Sequence, residues 1–237
     1  MAPLTPPQTA KTSPPTEAAF SAADPLTLSD EVYEALREGL LIGEWMPGAK
    51  ITARNVAKQY DVSLTPARDA MTRLANEGGL LLSETRMYSI PKLSAEDYLD
   101  VTRVRLALEP MATELATARI TDQAVHDLQR INEDMRDCVE AGRYQDGLIL
   151  DSRFHLGLYR FCGSPVLWQV INNLWLRIGP TRNMLSKTYR RGLSGYSFHQ
   201  KILSALAQRD AALAAKLIRR DLKLGASKLE NALRGQS

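Results

Sequence analysis

The chain is short of several things at once, and each shortage narrows what it can be. Only two of its 237 residues are cysteine, Cys138 and Cys162, so no disulfide framework holds it and a reducing, cytoplasmic setting is expected. No stretch approaches the ~18 uncharged apolar residues of a membrane span, so no membrane partner is expected. The N-terminal run MAPLTPPQTAKTSPP has no apolar segment able to act as a signal peptide. Charge of neither sign is in surplus: 30 basic against 27 acidic side chains leave a formal +3, too mild to point to a partner. There is no internal repeat, and beyond Ser94 no convincing strand. What is present, 44% apolar and 24% charged positions, is a globular composition, and the length fits two compact units plus a tail.

The tail is residues 1–27. Prolines 3, 6, 7, 14, 15 and 25 fall there, with only Lys11, Glu17 and Asp24 as charges. Such a stretch buries too little surface to offset chain entropy and is expected to be disordered.

Residues 28–93 read as helix, turn, helix, tight turn, helix and a small hairpin. The first helix spans about Ser29–Ile42, with Val32, Leu36, Leu40 and Leu41 on one face and Asp30 and Glu31 at its positive end. Pro47-Gly48 forces a turn, and a second helix fits Thr52–Tyr60. After Asp61-Val62, Ser63 is a good N-cap for a third helix to about Gly78, in which Pro66 is tolerable because first-turn amides lack intrahelical partners. Leu80–Ser83 and Tyr88–Pro91 would be the hairpin arms, with Glu84–Met87 at the tip. A serine-capped third helix after a tight turn is the helix-turn-helix pattern, which lays that helix in the major groove. Thr52, Arg54, Ser63, Thr65, Arg68 and Arg73 are the polar groups such a surface would present. An ordinary helical subdomain with solvated charges is the alternative. Within residues 50–73, however, five basic residues stand against two acidic ones.

Residues 94–237 show helical periodicity alone, at about 94–118, 121–141, 144–162, 164–185, 194–209 and 210–232, which implies an antiparallel all-α bundle. Pro180 should kink the fourth of these. Leu148, Asp151, His155, Leu158 and Cys162 share one stripe, His199 lies on a face with Ile202, Leu203 and Leu206, and Asp221 lines up with Leu217 and Leu224. Inward carboxylates want a cation, an arginine or a metal. Asp and His at i, i+4, joined by groups from facing helices, is how bundles build metal sites; it is also the pattern of a local hydrogen-bonded pair. His126 lies off its helix's apolar face and reads as a surface residue, and the two cysteines read as small core residues.

Two family resemblances bear on these readings. Pro47-Gly48-Ala-Lys-Ile51, Val56-Ala57, Val62-Ser-Leu-Thr-Pro-Ala-Arg68-Asp-Ala70 and Arg73-Leu74…Glu77-Gly78 resemble the winged helix-turn-helix signature of GntR-superfamily transcription regulators. The resemblance implies DNA contacts at Arg54, Thr65, Arg68 and the hairpin tip around Arg86. The chain departs from that pattern in three places. Leu64 stands where the family usually has a base-contacting arginine, Asp61 replaces a turn glycine, and Tyr88 lies near a wing glycine. Loss of a bidentate arginine removes roughly 1–3 kcal/mol of base discrimination.

Asp100…Val104-Arg105…Glu109-Pro110, Asp151-x-x-Phe154-His155, Gly163-Ser-Pro165, His199-x-x-Ile202 and Arg219-Arg220-Asp221-Leu222 are similar to the FCD effector domain of the FadR-like subgroup. That resemblance implies a divalent metal (Zn, Ni or Mn) on Asp151, His155, His199 and Asp221, the last standing where histidine is usual, and a small carboxylate effector. Arg105, facing the cavity, is expected to take the carboxylate as a bidentate fork, with Arg182 a second candidate.

The expectation is therefore a mainly α protein: an N-terminal winged helix-turn-helix domain over 28–93 and an FCD-like all-α effector-binding and dimerisation domain over 94–237. It would be a homodimeric, ligand-responsive, non-enzymatic transcription regulator on a palindromic double-stranded operator. The alternatives are a metal-dependent helical enzyme, and a regulator with a metal-free pocket for a larger apolar effector.

Overall fold

The computed structural model describes residues 27–185, 189 and 191–235; the proline-rich tail, Thr27 apart, lies outside them. Helix α1 (Leu28–Leu41) opens on Thr27, whose side chain and that of Asp30 cap each other's backbone amides. It buries Val32, Leu36 and Leu40 against α3 and ends where Gly43 takes φ 70°. Strand β1 (Lys50–Ile51), α2 (Ala53–Gln59), α3 (Leu64–Asn76), β2 (Leu81–Leu82) and β3 (Tyr88–Ser89) follow. The helices fall within a residue or two of expectation.

The sheet is larger than the expected hairpin. Its order is β1-β3-β2, with Lys50 opposite Ser89 and Leu81 opposite Ser89 on the other side. A two-residue strand carries no readable alternation. Strand β1 forms because the turn at Gly48 (φ 82°) returns the chain to β3, where Gly48 N donates to Ile90 O and Ile90 N to Ala49 O. The tight turn before α3 is made by Asp61 at φ 52°, a left-handed conformation usually left to glycine. Ser63 sits at the N-cap of α3 as expected, but its side chain makes no capping bond.

The C-terminal unit comprises α4 (Ala95–Thr117), α5 (Asp122–Glu140), α6 (Tyr144–Tyr159), α7 (Pro165–Ile178), α8 (Ser194–Ala207) and α9 (Ala211–Leu233) among the described residues. Helix α4 packs along α9 and beside α7, while α5 packs against α6 and α8. Ser94 and Asp97 form a second reciprocal cap at the start of α4. Cys138 and Cys162 are buried and unpaired, and His126 is exposed, as expected.

Pro180 does more than kink its helix. The α-helix stops at Ile178, and a 3₁₀ turn runs from Pro180 to Met184. Gly179 at the junction lies against the carbonyl of Leu40, so close that a Cβ there would overlap it. No helix among the described residues is long and apolar enough to cross a membrane.

Candidate metal centre and nucleic-acid interface

Three of the predicted ligands converge. One donor atom each from Asp151, His155 and His199 lies within 4.8 Å of the other two. The Nε2 atoms of the two imidazoles are 3.2 Å apart, and Asp151 Oδ1 is 4.0 Å from His155 Nε2 and 3.6 Å from His199 Nε2. Asp221, the fourth predicted ligand, stands beside these three. Its Oδ2 approaches His155 Nε2 at 3.2 Å, at the cavity wall.

Hydrogen bonding around the cluster sets its chemistry. Tyr159 donates its only proton to Glu109 Oε2 at 2.7 Å, so it accepts from His155 Nδ1–H at 3.1 Å. Asn132 donates its amide to the carbonyl of Tyr196, which turns its oxygen toward His199 Nδ1 at 3.0 Å. Both rings are therefore held with Nδ1 protonated and the Nε2 lone pairs directed at one point, as metal-binding histidines require. Phe154 stacks on His199 at 3.9 Å between centroids and fixes its plane.

Without a cation, two inward lone pairs beside two carboxylates need a proton between them. Burial opposes charge on His155, but its hydrogen bond to Asp221 and the charges of Asp151 and Asp221 outweigh that and raise its pKa. Burial and the neighbouring His155 push His199 down to about 4. Burial would raise Asp151; the charges of Arg182 and the two histidines hold it below its ordinary value. A divalent ion bound at this point would take the place of any proton shared by the two imidazoles. The residues fit the metal that the resemblance implies.

The cavity beside this cluster has a volume of about 90 Å³, with Tyr98, Arg105, Arg182 and Tyr189 at its polar end and Ile178, Leu222 and Leu229 on its apolar wall. Both predicted effector arginines line it, but neither is the free fork the sequence suggested. Arg105 donates from Nε (2.5 Å) and Nη2 (3.3 Å) to Glu109, which is fully buried and also accepts from Trp175 Nε1. Arg182 donates from Nη2 to Asp151 Oδ2 at 2.5 Å and from Nη1 to Ser152 Oγ. Two buried arginines stacked over Trp175 cannot stay unpaired, and the helix partners were at hand. Glu109, Asn132 and Tyr159 were missed in the sequence. Each sits on an inward helical stripe: Glu109 four residues after Arg105, Asn132 between Leu128 and Met135, Tyr159 four after His155.

On the N-terminal unit, Arg54, Ser63, Thr65, Arg68 and Arg86 are exposed, Arg86 at the wing tip with φ 57°. Thr52 is half-buried and caps α2 through Asn55 N. Arg73 is exposed as well, but it has partners within its own domain. Its guanidinium lies 3.6 Å over the Tyr33 ring and pairs with Asp30 (3.3 Å) and Glu77 (3.4 Å), so it braces α1 against α3. Glu77 lies four residues after Arg73 on α3 and Asp30 in the first turn of α1, so both partners belong to its own domain.

The geometry above agrees with comparison to known proteins. The model of the gntR family of bacterial regulatory proteins matches residues 28–86, and that of the FCD domain matches 100–224. The chain belongs to the GntR family and carries an FCD domain. Its fold is accordingly a GntR helix-turn-helix unit followed by a helical FCD domain, and it is a GntR-type transcription regulator. HTH-type transcriptional regulator McbR of Escherichia coli (strain K12) is 30% identical over 155 residues, 65% of this chain and 70% of that protein. HTH-type transcriptional repressor RspR of the same strain is 25% identical over 183 residues, 77% of this chain and 80% of RspR. The solved structure of E. coli McbR/YncC is similar at TM-score 0.79 and 25% identity, covering 86% of this chain and 97% of that one. A putative GntR regulator from Rhodococcus sp. RHA1 shares the fold at TM-score 0.71 and 17% identity, covering 85% of this chain and 96% of its own.

Proposed function

We propose that this GntR regulator is a homodimer that binds a palindromic operator through α3 and the wing, and senses a small carboxylate at a divalent metal held by Asp151, His155 and His199. The observation that carries the sensing half is the pair of Nε2 lone pairs locked by Tyr159 and Asn132 onto one point beside a carboxylate. A Zn²⁺, Ni²⁺ or Mn²⁺ ion there would supply a Lewis-acidic anchor for an anionic ligand. Asp221, whose Oδ2 already lies 3.2 Å from His155 Nε2, would serve as a fourth ligand. Arg182 and Arg105 would add positive charge, and the apolar wall would receive the remainder of the acid. A cavity of about 90 Å³ supports a small effector over a large apolar one. The same donor set would suit a metal-dependent enzyme, but membership in a family of transcription regulators weighs against it.

The DNA-reading half is supported by the exposure of Arg54, Thr65 and Arg68 on α2 and α3 and of Arg86 at the wing tip. We take the domain boundary at 93/94, just before α4, and place the protein in the cytoplasm. The dimer is supported by α4, where Val104 and Met111 are exposed beside the half-buried Leu108 and Leu115, at spacings of four, three and four. Val104 is 42% and Met111 52% exposed. A heptad-like strip of this kind suits a second copy related by a two-fold axis.

Metal analysis of protein purified without chelator or histidine tag, together with a gel-shift titration on the DNA upstream of its own gene, tests the proposal. About one metal per chain, lost in His155→Ala and His199→Ala, and salt-sensitive specific binding are expected. Metal-free protein that takes up no added Zn²⁺, or binding no tighter than to unrelated duplex, would overturn the corresponding half.

A further inference from the structure

The last carbonyls of a helix have no intrahelical partners, and those of α1 are taken by the FCD domain. Ser152 Oγ reaches Leu41 O at 3.3 Å, and Gln145 Nε2 reaches Ile42 O at 2.9 Å. Asn183 Nδ2 bridges Gly43 O (2.6 Å) and Trp45 O (3.3 Å). The seat for the DNA-binding domain is thus the start of α6 together with the 3₁₀ turn after α7. That turn has a second face. Arg182, the neighbour of Asn183, points into the cavity and holds Asp151 Oδ2 with one nitrogen and Ser152 Oγ with the other. Asp151 therefore has one oxygen on the histidine cluster and the other on a guanidinium. That guanidinium's second arm ends on the hydroxyl that caps α1.

We propose that Arg182 and Asn183 are positioning residues that relay the state of the cavity to the DNA-binding domain. The proposal rests on the reading of the cavity as the sensing site. Asp151 would help hold a cation through Oδ1, which would change how its Oδ2 meets Arg182, and an anion in the cavity would compete with Asp151 for Arg182. Either event changes the two bonds that Arg182 makes. Arg182 is 9% exposed and Ser152 2%, and a close-packed interior does not absorb such a change locally. Ser152 offers its single proton to Leu41 O and to Leu148 O at 3.1 Å, so losing the bond from Arg182 frees it to shift between the two. Asn183 moves with the same turn. Because α1 packs on α3, the displacement reaches the recognition helix. The relay works as a switch only to the extent that the two cavity states differ in these bonds.

Hydrogen–deuterium exchange on the full-length, metal-stripped protein, with Zn²⁺ alone as probe and calorimetry to follow its binding, tests this. The amides of Ile42, Gly43 and Glu44 bond back to residues 38–40 and report on the end of α1. Zn²⁺ should change their exchange about fivefold, the scale of one net hydrogen bond. Asn183→Ala should bind Zn²⁺ with wild-type affinity but lose that response, while exchange in the core of α9 stays unchanged. Zn²⁺ binding with no effect at 42–44, or a full response in Asn183→Ala, would overturn the relay. If the wild type takes up no Zn²⁺, the sensing reading fails, and Asp151→Asn decides the relay without metal. Faster exchange at 42–44 with an unaltered α9 core supports it; unaltered exchange overturns it.

Discussion

Tyr159 and Arg73 show how much a single side chain's partners decide. Tyr159 fixes the tautomer of His155 only because its own proton goes to Glu109, so its hydroxyl acts through the histidine. Tyr159→Phe keeps the packing and should lower Zn²⁺ affinity about 10- to 100-fold, read by competition with a chelating dye. Unchanged affinity would mean that His155 is oriented by something else. Arg68 and Arg73 look alike in the sequence, five residues apart on one helix. Both are exposed, but Arg73 also pairs with Asp30 and Glu77 and lies over Tyr33. Arg68→Ala should therefore reduce the salt slope of operator binding by about one. Arg73→Ala should leave that slope alone and lower the urea midpoint, by the equivalent of about 1 kcal/mol. The opposite assignment of slope and stability would reverse the two roles. Sequence spacing placed Asp151, His155 and His199 on inward faces but could not say which arginines would find carboxylates. Arg105 has Glu109 one turn away, and Arg182 meets Asp151 only because Pro180 tightens the chain into a 3₁₀ turn.

At the scale of the element, what was legible is what repeats. Helices α1 to α9 announce themselves by buried positions every three or four residues, and some of them by side chains that cap their first amides, as at Thr27, Ser94 and Thr121. Strand β1 was illegible because two residues cannot show a period of two. The α7 break was misjudged because proline alone permits either a kink or a stop. What decides is Gly179, which admits the backbone of α1. The turn before α3 was read correctly as a departure: Asp61 carries a positive φ that glycine carries at less strain. Asp61→Gly should raise the melting temperature slightly, by up to about 1 kcal/mol of stability. A clear fall would mean that the aspartate side chain holds the turn. Leu64, 41% exposed at the start of α3, is the other departure with a consequence. Leu64→Arg should add base discrimination of about 1–3 kcal/mol in a competition gel shift, without altering thermal stability.

Across the whole molecule, the two units are joined by a seam of side-chain contacts. Arg37 meets Asn172 at 2.5 Å and Glu38 meets Arg153 at 2.8 Å, beside the seat of the α1 end. On α4, Val104 and Met111 are the exposed apolar residues that the proposed dimer would cover. Val104→Asp with Met111→Asp should convert a dimer to a folded monomer in analytical ultracentrifugation and weaken operator binding, since two half-sites would no longer be engaged together. A double variant that sediments as the wild type would put the two-fold axis on another face. The layout of two domains was readable from the break in pattern near residue 93. The seam was not, because its contacts are mostly side chain to carbonyl, and carbonyls leave no mark on a sequence.

The tight fit of Gly179 beneath Leu40 limits how this protein can be re-engineered. A chimaera cut at the obvious joint before α4 would graft a foreign reading head onto a socket shaped for this one. Residues 40–45 and 179–183 have to travel together, as a matched lock, or the hybrid will bind its operator deaf to anything in the cavity.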